Sequence, residues 1–204
     1  MKDLTDNKNG VPLKHYQALF AQGDPRAMSA RSGVPYEDGQ FTTVLLGHEV
    51  TLSYPDMALR VSGSGKELGP GPRILLARLL TGGALAQGTG KLRSYAELPW
   101  GNVYLNQFKG RCLSRLAFGF GGDPAKLEAA CTALGGVPVP GSGQSYDLFF
   151  LPTLQLRLTV WPGEEEFPPA AQILFSDNFP LAFSAEDMAV CGDVVLDALK
   201  GRLF

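Results

Sequence analysis

Cysteine, histidine and charge are all scarce in this chain. Its 204 residues include three cysteines and two histidines, and only 19% are Asp, Glu, Lys or Arg. Cys112, Cys131 and Cys191 are too far apart for a CxxC pair, so zinc-ribbon and thioredoxin-like readings fail on spacing. An odd count also makes no disulfide framework. All three fall in helical patterns among apolar neighbours, and read as small buried hydrophobes. With only His15 and His48 available, a His-rich metal site is excluded. No run of 18 or more mainly apolar residues is present, so no helical membrane span is expected. Met1 to Gly10 is polar and lacks the apolar stretch of a secretory signal, which favours a cytoplasmic location. A formal charge of -2 argues against nucleic acid as a partner. GxSxG, HExxH and P-loop motifs are missing, and no motif specifies a cofactor.

What the chain does have is apolar residues, glycine and proline. Hydrophobic residues make up 45%, enough for a sizeable core. Gly 25 and Pro 15 imply many turns and tight loops. Residues 1–40 read as a polar lead-in with one short helix, stopped at Gly23-Asp24-Pro25, and then a loop. Phe41–Leu46 and Glu49–Tyr54 read as a hairpin with a type II′ turn at Gly47-His48, and Ala58–Ser62 as a third strand. Residues 63–72 form a Gly/Pro connector. Helices follow at Arg73–Thr81, at Asn102–Phe118, and after Asp123-Pro124, which supplies a cap and a first-turn proline.

The last third is the clearest. Leu154, Leu156, Leu158 and Val160 alternate with Gln155, Arg157, Thr159 and Trp161, the period of a half-buried strand. Tyr146–Leu151 precedes it, and Ala170–Ser176 is its expected partner. Ser184 and Asp187 open a final helix with a buried stripe of Met188, Cys191, Val195 and Leu199. Strands lie at both ends and do not alternate with helices. The expected fold is therefore α+β, a mostly antiparallel sheet with helices packed on it, residues 41–204 forming one domain.

The chemistry on offer is thin. Glu164-Glu165-Glu166 lies between the two C-terminal strands, flanked by Trp161 and followed, past the partner strand, by Asp177. Adjacent carboxylates can hold a hard cation such as Mg²⁺, but the run lacks the alternating spacing of a calcium loop. The plainer reading is a solvated hairpin tip. Gly119-Phe120-Gly121-Gly122-Asp123 leads into a helix N-terminus, where backbone amides can hold an anion, although flexibility plus capping accounts for it equally. Trp100 in its Pro-Trp-Gly turn is expected to pin a loop on the core.

The C-terminal third, with the Trp161-to-Pro168 acidic loop, Ala171-Gln172-Ile173-Leu174-Phe175 and Phe183-Ser184-Ala185-Glu186-Asp187, resembles an uncharacterised family. Ile74-Leu75-Leu76 and Ser94–Pro99 add to the likeness. The family is a domain of unknown function of about this length, found mainly in anaerobic bacteria and archaea. Some members carry iron–sulfur segments, which implies an anaerobic redox or corrinoid setting. This chain lacks the clustered cysteines such a segment needs.

The leading expectation is a non-catalytic small-ligand- or cofactor-binding or accessory protein of anaerobic metabolism, with a small-molecule or protein partner. Its pocket is expected near Tyr95, Glu97, Trp161, Glu164, Glu166 and Asp177, with no metal. That requires the hairpin tip to face a hollow. One alternative is a carboxylate- or Mg²⁺-dependent enzyme, which requires two of these carboxylates or Glu165 to converge. The other is a protein–protein module using loops 63–72 and 82–93.

Overall fold

The computed structural model describes residues 10–204. Two helices open it, α1 (Gly10–Gln22) and α2 (Pro25–Ser32). The second was not expected. Asp24 ends one helix and caps the next, its carboxylate accepting from Arg26 N at 3.1 Å with Pro25 at the first helical position. Strands β1 (Tyr36–Glu37), β2 (Gln40–Leu45), β3 (His48–Ser53) and β4 (Leu59–Val61) then form an antiparallel sheet in sequence order. Phe41 and Leu45 on β2, with Val50 and Leu52 on β3, face the core.

The β2–β3 turn is shifted by one residue from its expected place. Leu46 and Gly47 both have positive φ, 47° and 80°, which is a type I′ arrangement. His48 belongs to β3, pairs with Leu45 and stacks on Phe204 at 3.8 Å. Leu46 is fully buried and its N–H donates to Phe150 O. A long-range contact thus holds a bulky residue where local preference would place glycine.

After α3 (Pro70–Gly82), strands β5 (Leu92–Ser94), β6 (Val137–Val139), β7 (Gln144–Leu151), β8 (Leu154–Trp161) and β9 (Ala170–Ser176) build a second antiparallel sheet in the order β5-β9-β8-β7-β6. The α+β expectation holds, with two sheets in place of one. The expected β8–β9 hairpin is present, Trp161 opposite Ala170 and Leu156 opposite Phe175. On β8 the side chains of Leu154, Leu156, Leu158 and Val160 are buried. On the other face Arg157 grips Asp147 with two bonds of 2.7 and 2.8 Å.

The helix expected at 102–118 is interrupted. It comprises α4 (Gly101–Phe108), a π-helical turn (Lys109–Ser114) and α5 (Arg115–Phe120). The wider turn seats Cys112 against Gly192, where a Cβ would stand 2.5 Å from its Sγ. Helix α6 (Pro124–Ala133) starts on the expected Asp123 cap. A short α7 (Phe179–Ala182) precedes α8 (Ala185–Leu199), which opens on the expected Ser184–Asp187 capping box. Helix α5 packs on β8 and β9, and α8 on α3, α4 and α6. Phe20, Met28 and Val34 share one contiguous core with both sheets and α8. None of the described helices is long and apolar enough to cross a membrane.

Candidate functional site

The residues singled out from the sequence do not meet at one place. Tyr95 is buried in the core, its ring stacked on Phe108 at 4.0 Å and its hydroxyl donating to Ala185 O at 2.6 Å. Burial pushes its pKa up to about 12. Glu97 closes a 3₁₀ turn (Tyr95–Glu97) as a capping box. It accepts from Ser94 Oγ at 2.7 Å and Ser94 N at 2.8 Å, and pairs with Arg93 at 3.6 Å. The Ser94 bonds hold its carboxyl below the ordinary carboxylate range.

Trp161 is half-buried and pins the end of β8, its Nε1 donating to Ser142 Oγ at 3.2 Å while Gly143 lies flat against the indole. Glu164, Glu165 and Glu166 are exposed. Two backbone bonds between Glu164 and Phe167, of 2.9 and 3.2 Å, close the loop on itself. Its tip therefore points into solvent. Asp177 lies beyond Ser176, at the other end of the seven-residue β9. At about 3.3 Å per residue, roughly 20 Å of strand separates it from the glutamate end. It accepts from Thr89 N at 2.9 Å and from Thr89 Oγ1, and those bonds lower its pKa. Among the described residues no three His, Cys, Asp or Glu side chains gather as metal ligands do.

Trp100 does not pin a loop. It is 78% exposed with a positive φ of 63°, and Gly101 behind it is pressed on Tyr95 O so closely that no Cβ fits. Loops 63–72 and 82–93 contribute none of the large exposed apolar side chains, since Leu68 is buried and Leu85 partly so.

Hollows lie elsewhere. One of about 400 Å³ sits between α1, α2 and α3. Its polar groups are already engaged. Asp24 caps α2, Arg31 donates to Leu80 O, and Thr81 Oγ1 donates to Ala77 O at 2.8 Å. A second, about 320 Å³, opens between the two sheets. Pro35, Thr42, Val44 and Glu49 form one wall, and Leu85, Pro152 and Thr153 the other. Val44 and Glu49 are cross-strand partners, so they line the same face of the small sheet.

The second wall has a visible design. Pro152-Thr153 is the two-residue β7–β8 turn. Proline fixes φ near -65° and forbids the primed turns, so the strands splay and a bulge appears at Phe149–Leu151. Asn178, itself only 3% exposed, then ties this turn to the 84–90 loop. Its Nδ2 donates to Thr153 O and to Ala86 O, both at 2.7 Å. Leu85 N donates to Ser32 O, which anchors the loop on its other side. Two polar atoms in this assembly are buried without a partner, Thr153 Oγ1 and Asn178 Oδ1. An unpaired buried polar atom is costly, and since both atoms are closed off from the cleft they are a cost of the tight packing around the turn. No sequence pattern marked this cleft, because its walls come from four separated segments. The Pro-Thr turn was the one local signal.

No curated protein and no solved structure matches the chain. The likeness read from its C-terminal third does extend to a family model, which matches residues 24–198. The chain belongs to that family, described as a domain of unknown function, DUF3786.

Proposed function

We propose that this is a non-catalytic small-ligand-binding or accessory protein of the cytoplasm, with its ligand in the cleft between the sheets. The single observation that carries the reading is the preformed hollow between the sheets, with its Pro152-Thr153 wall tied down by Asn178. A volume near 320 Å³ falls at the small end of ligand sites. It suits a compact molecule and is too small for a corrinoid or other tetrapyrrole. Val44, Leu85 and Pro35 offer an apolar side, while Glu49 and Thr42 offer hydrogen bonds. The fitting class is a small neutral or cationic molecule with at least one donor group. A role in anaerobic metabolism belongs to the proposal and rests on the family resemblance alone.

The separation of the glutamate run from Asp177 weighs against the carboxylate-enzyme alternative. The protein-interaction alternative draws on one observation. Trp100 and Val103, 78% and 62% exposed, lie one helical turn apart at the start of α4.

Thermal denaturation in the presence of a panel of small amines, amides, alcohols and nucleosides tests the cleft. At least one compound should raise the Tm of the native protein and leave Val44→Trp, which fills the hollow from an exposed strand position, unmoved. Equal shifts in both proteins, or none in either, would refute the reading.

A further inference from the structure

Charge in the cleft between the sheets is one-sided. Among the described side chains that line it, Glu49 alone carries a formal charge. Strand alternation places it there. Val50 and Leu52 are buried in the core, so Glu49 and Thr51 lie on the opposite face of β3. Thr51 is directly across from Arg60 on β4, which makes Arg60 the diagonal neighbour of Glu49 on that face. The Arg60 guanidinium pairs instead with Glu67, at 3.4 Å. Glu49 has no ion-pair partner among the described residues. An uncompensated carboxylate therefore borders a hollow walled by Val44, Pro35, Leu85 and Pro152.

The lining discriminates among cations. A divalent metal ion needs several ligands, and among the described residues no three His, Cys, Asp or Glu side chains gather to supply them. A quaternary ammonium is held by aromatic faces, and no aromatic side chain is among the described residues lining the cleft. What remains is a cation that donates hydrogen bonds. Thr42 shares the face of Val44 and is the other diagonal neighbour of Glu49, its hydroxyl oxygen a further acceptor. We propose that the cleft selects a small primary amine in its ammonium form, and that Glu49 sets this specificity. The ammonium donates to Glu49, and a short hydrocarbon body lies on Val44, Leu85 and Pro152. A surface carboxylate gives little affinity by itself, and the apolar walls supply the remainder. The assignment rests on the cleft being a ligand site and adds the charge and class of its ligand.

Amide chemical shifts of the isotopically labelled full chain test the assignment, at low salt and neutral pH. The probes are n-butylamine, n-butanol, butyrate and tetramethylammonium. n-Butylamine should move the amides of Thr42, Val44 and Leu85 saturably, and bind about tenfold or more tightly than n-butanol. Butyrate and tetramethylammonium should leave those amides in place. E49Q, at an exposed position, should bring n-butylamine down to the affinity of n-butanol. E165Q, at the hairpin tip, should leave the amine's affinity unchanged. Equal affinities of amine and alcohol for the native chain, or full amine affinity in E49Q, would overturn the proposal and leave the cleft a site for neutral ligands. Binding of butyrate or tetramethylammonium as tight as that of n-butylamine overturns it as well. Cleft amides unmoved by all four compounds would overturn it together with the cleft reading.

Discussion

Cys112, Cys131 and Cys191 sit in the core, and burial pushes the thiols of Cys112 and Cys131 up to about 12. Native protein should react negligibly with a thiol reagent at pH 8, and all three thiols should titrate once urea unfolds it. Fast modification of any one in the native state would contradict the burial. A raised folded pKa stabilises the native state fully below the ordinary value of 9.0 and progressively less above it. Urea midpoints should therefore fall as pH rises from about 9 toward 12, Tyr95 adding to the loss. Glu97 and Asp177 act in the opposite sense. Their lowered values stabilise the fold above about pH 4.5, and that contribution disappears as the solution is acidified.

Gly47 offers a separate test at this scale. With φ at 80° and a prospective Cβ 2.9 Å from Leu134 O, Gly47→Ala should cost about 1–3 kcal/mol in urea denaturation. The cysteines were legible in the sequence because their helical, apolar surroundings are local. The burial of Leu46 and the exposure of Trp100 were not, since each follows from a backbone contact distant in the chain, to Phe150, or hidden in the path of a turn, at Tyr95.

At the scale of elements, regular periodicity was legible wherever one face is buried. The β8 alternation and the α8 stripe show this, as do the caps at Asp123 and Ser184. Short edge strands such as β5 and β6 were missed, because three residues display no period. Helix α2 was missed because Gly-Asp-Pro reads as a stop, although the same Asp-Pro pair starts a helix. Asp187 has two duties, closing the capping box on Ser184 and pairing with Arg78 at 2.7 Å. Asp187→Ala removes both from a buried position and should lower stability by about 3 kcal/mol, the order of a lost cap plus a broken pair. Asn178 plays the equivalent part for the cleft. Asn178→Ala leaves the carbonyls of Ala86 and Thr153 without donors, and should cost about 2–3 kcal/mol while weakening any cleft ligand. A variant with native stability in chemical denaturation would show that the staple does not hold the walls.

For the whole molecule, the two sheets and the helices packed with them share one core among the described residues, and the binding proposal rests on the seam between the sheets. The sequence pointed to the acidic hairpin as the site because glutamates beside a tryptophan are conspicuous. The chain instead closes that loop by backbone bonds and turns it to solvent, where the three charges stay hydrated. The cleft escaped notice because its chemistry is ordinary residue by residue and becomes distinctive only through juxtaposition. Fragment soaking of crystals of the full chain is the most direct trial of that claim, because it reports where small molecules settle. Fragments should collect between Val44 and Thr153, with a donor group on Glu49. Fragments gathering only between α1 and α2 or at the glutamate loop, with the seam between the sheets empty, would contradict it.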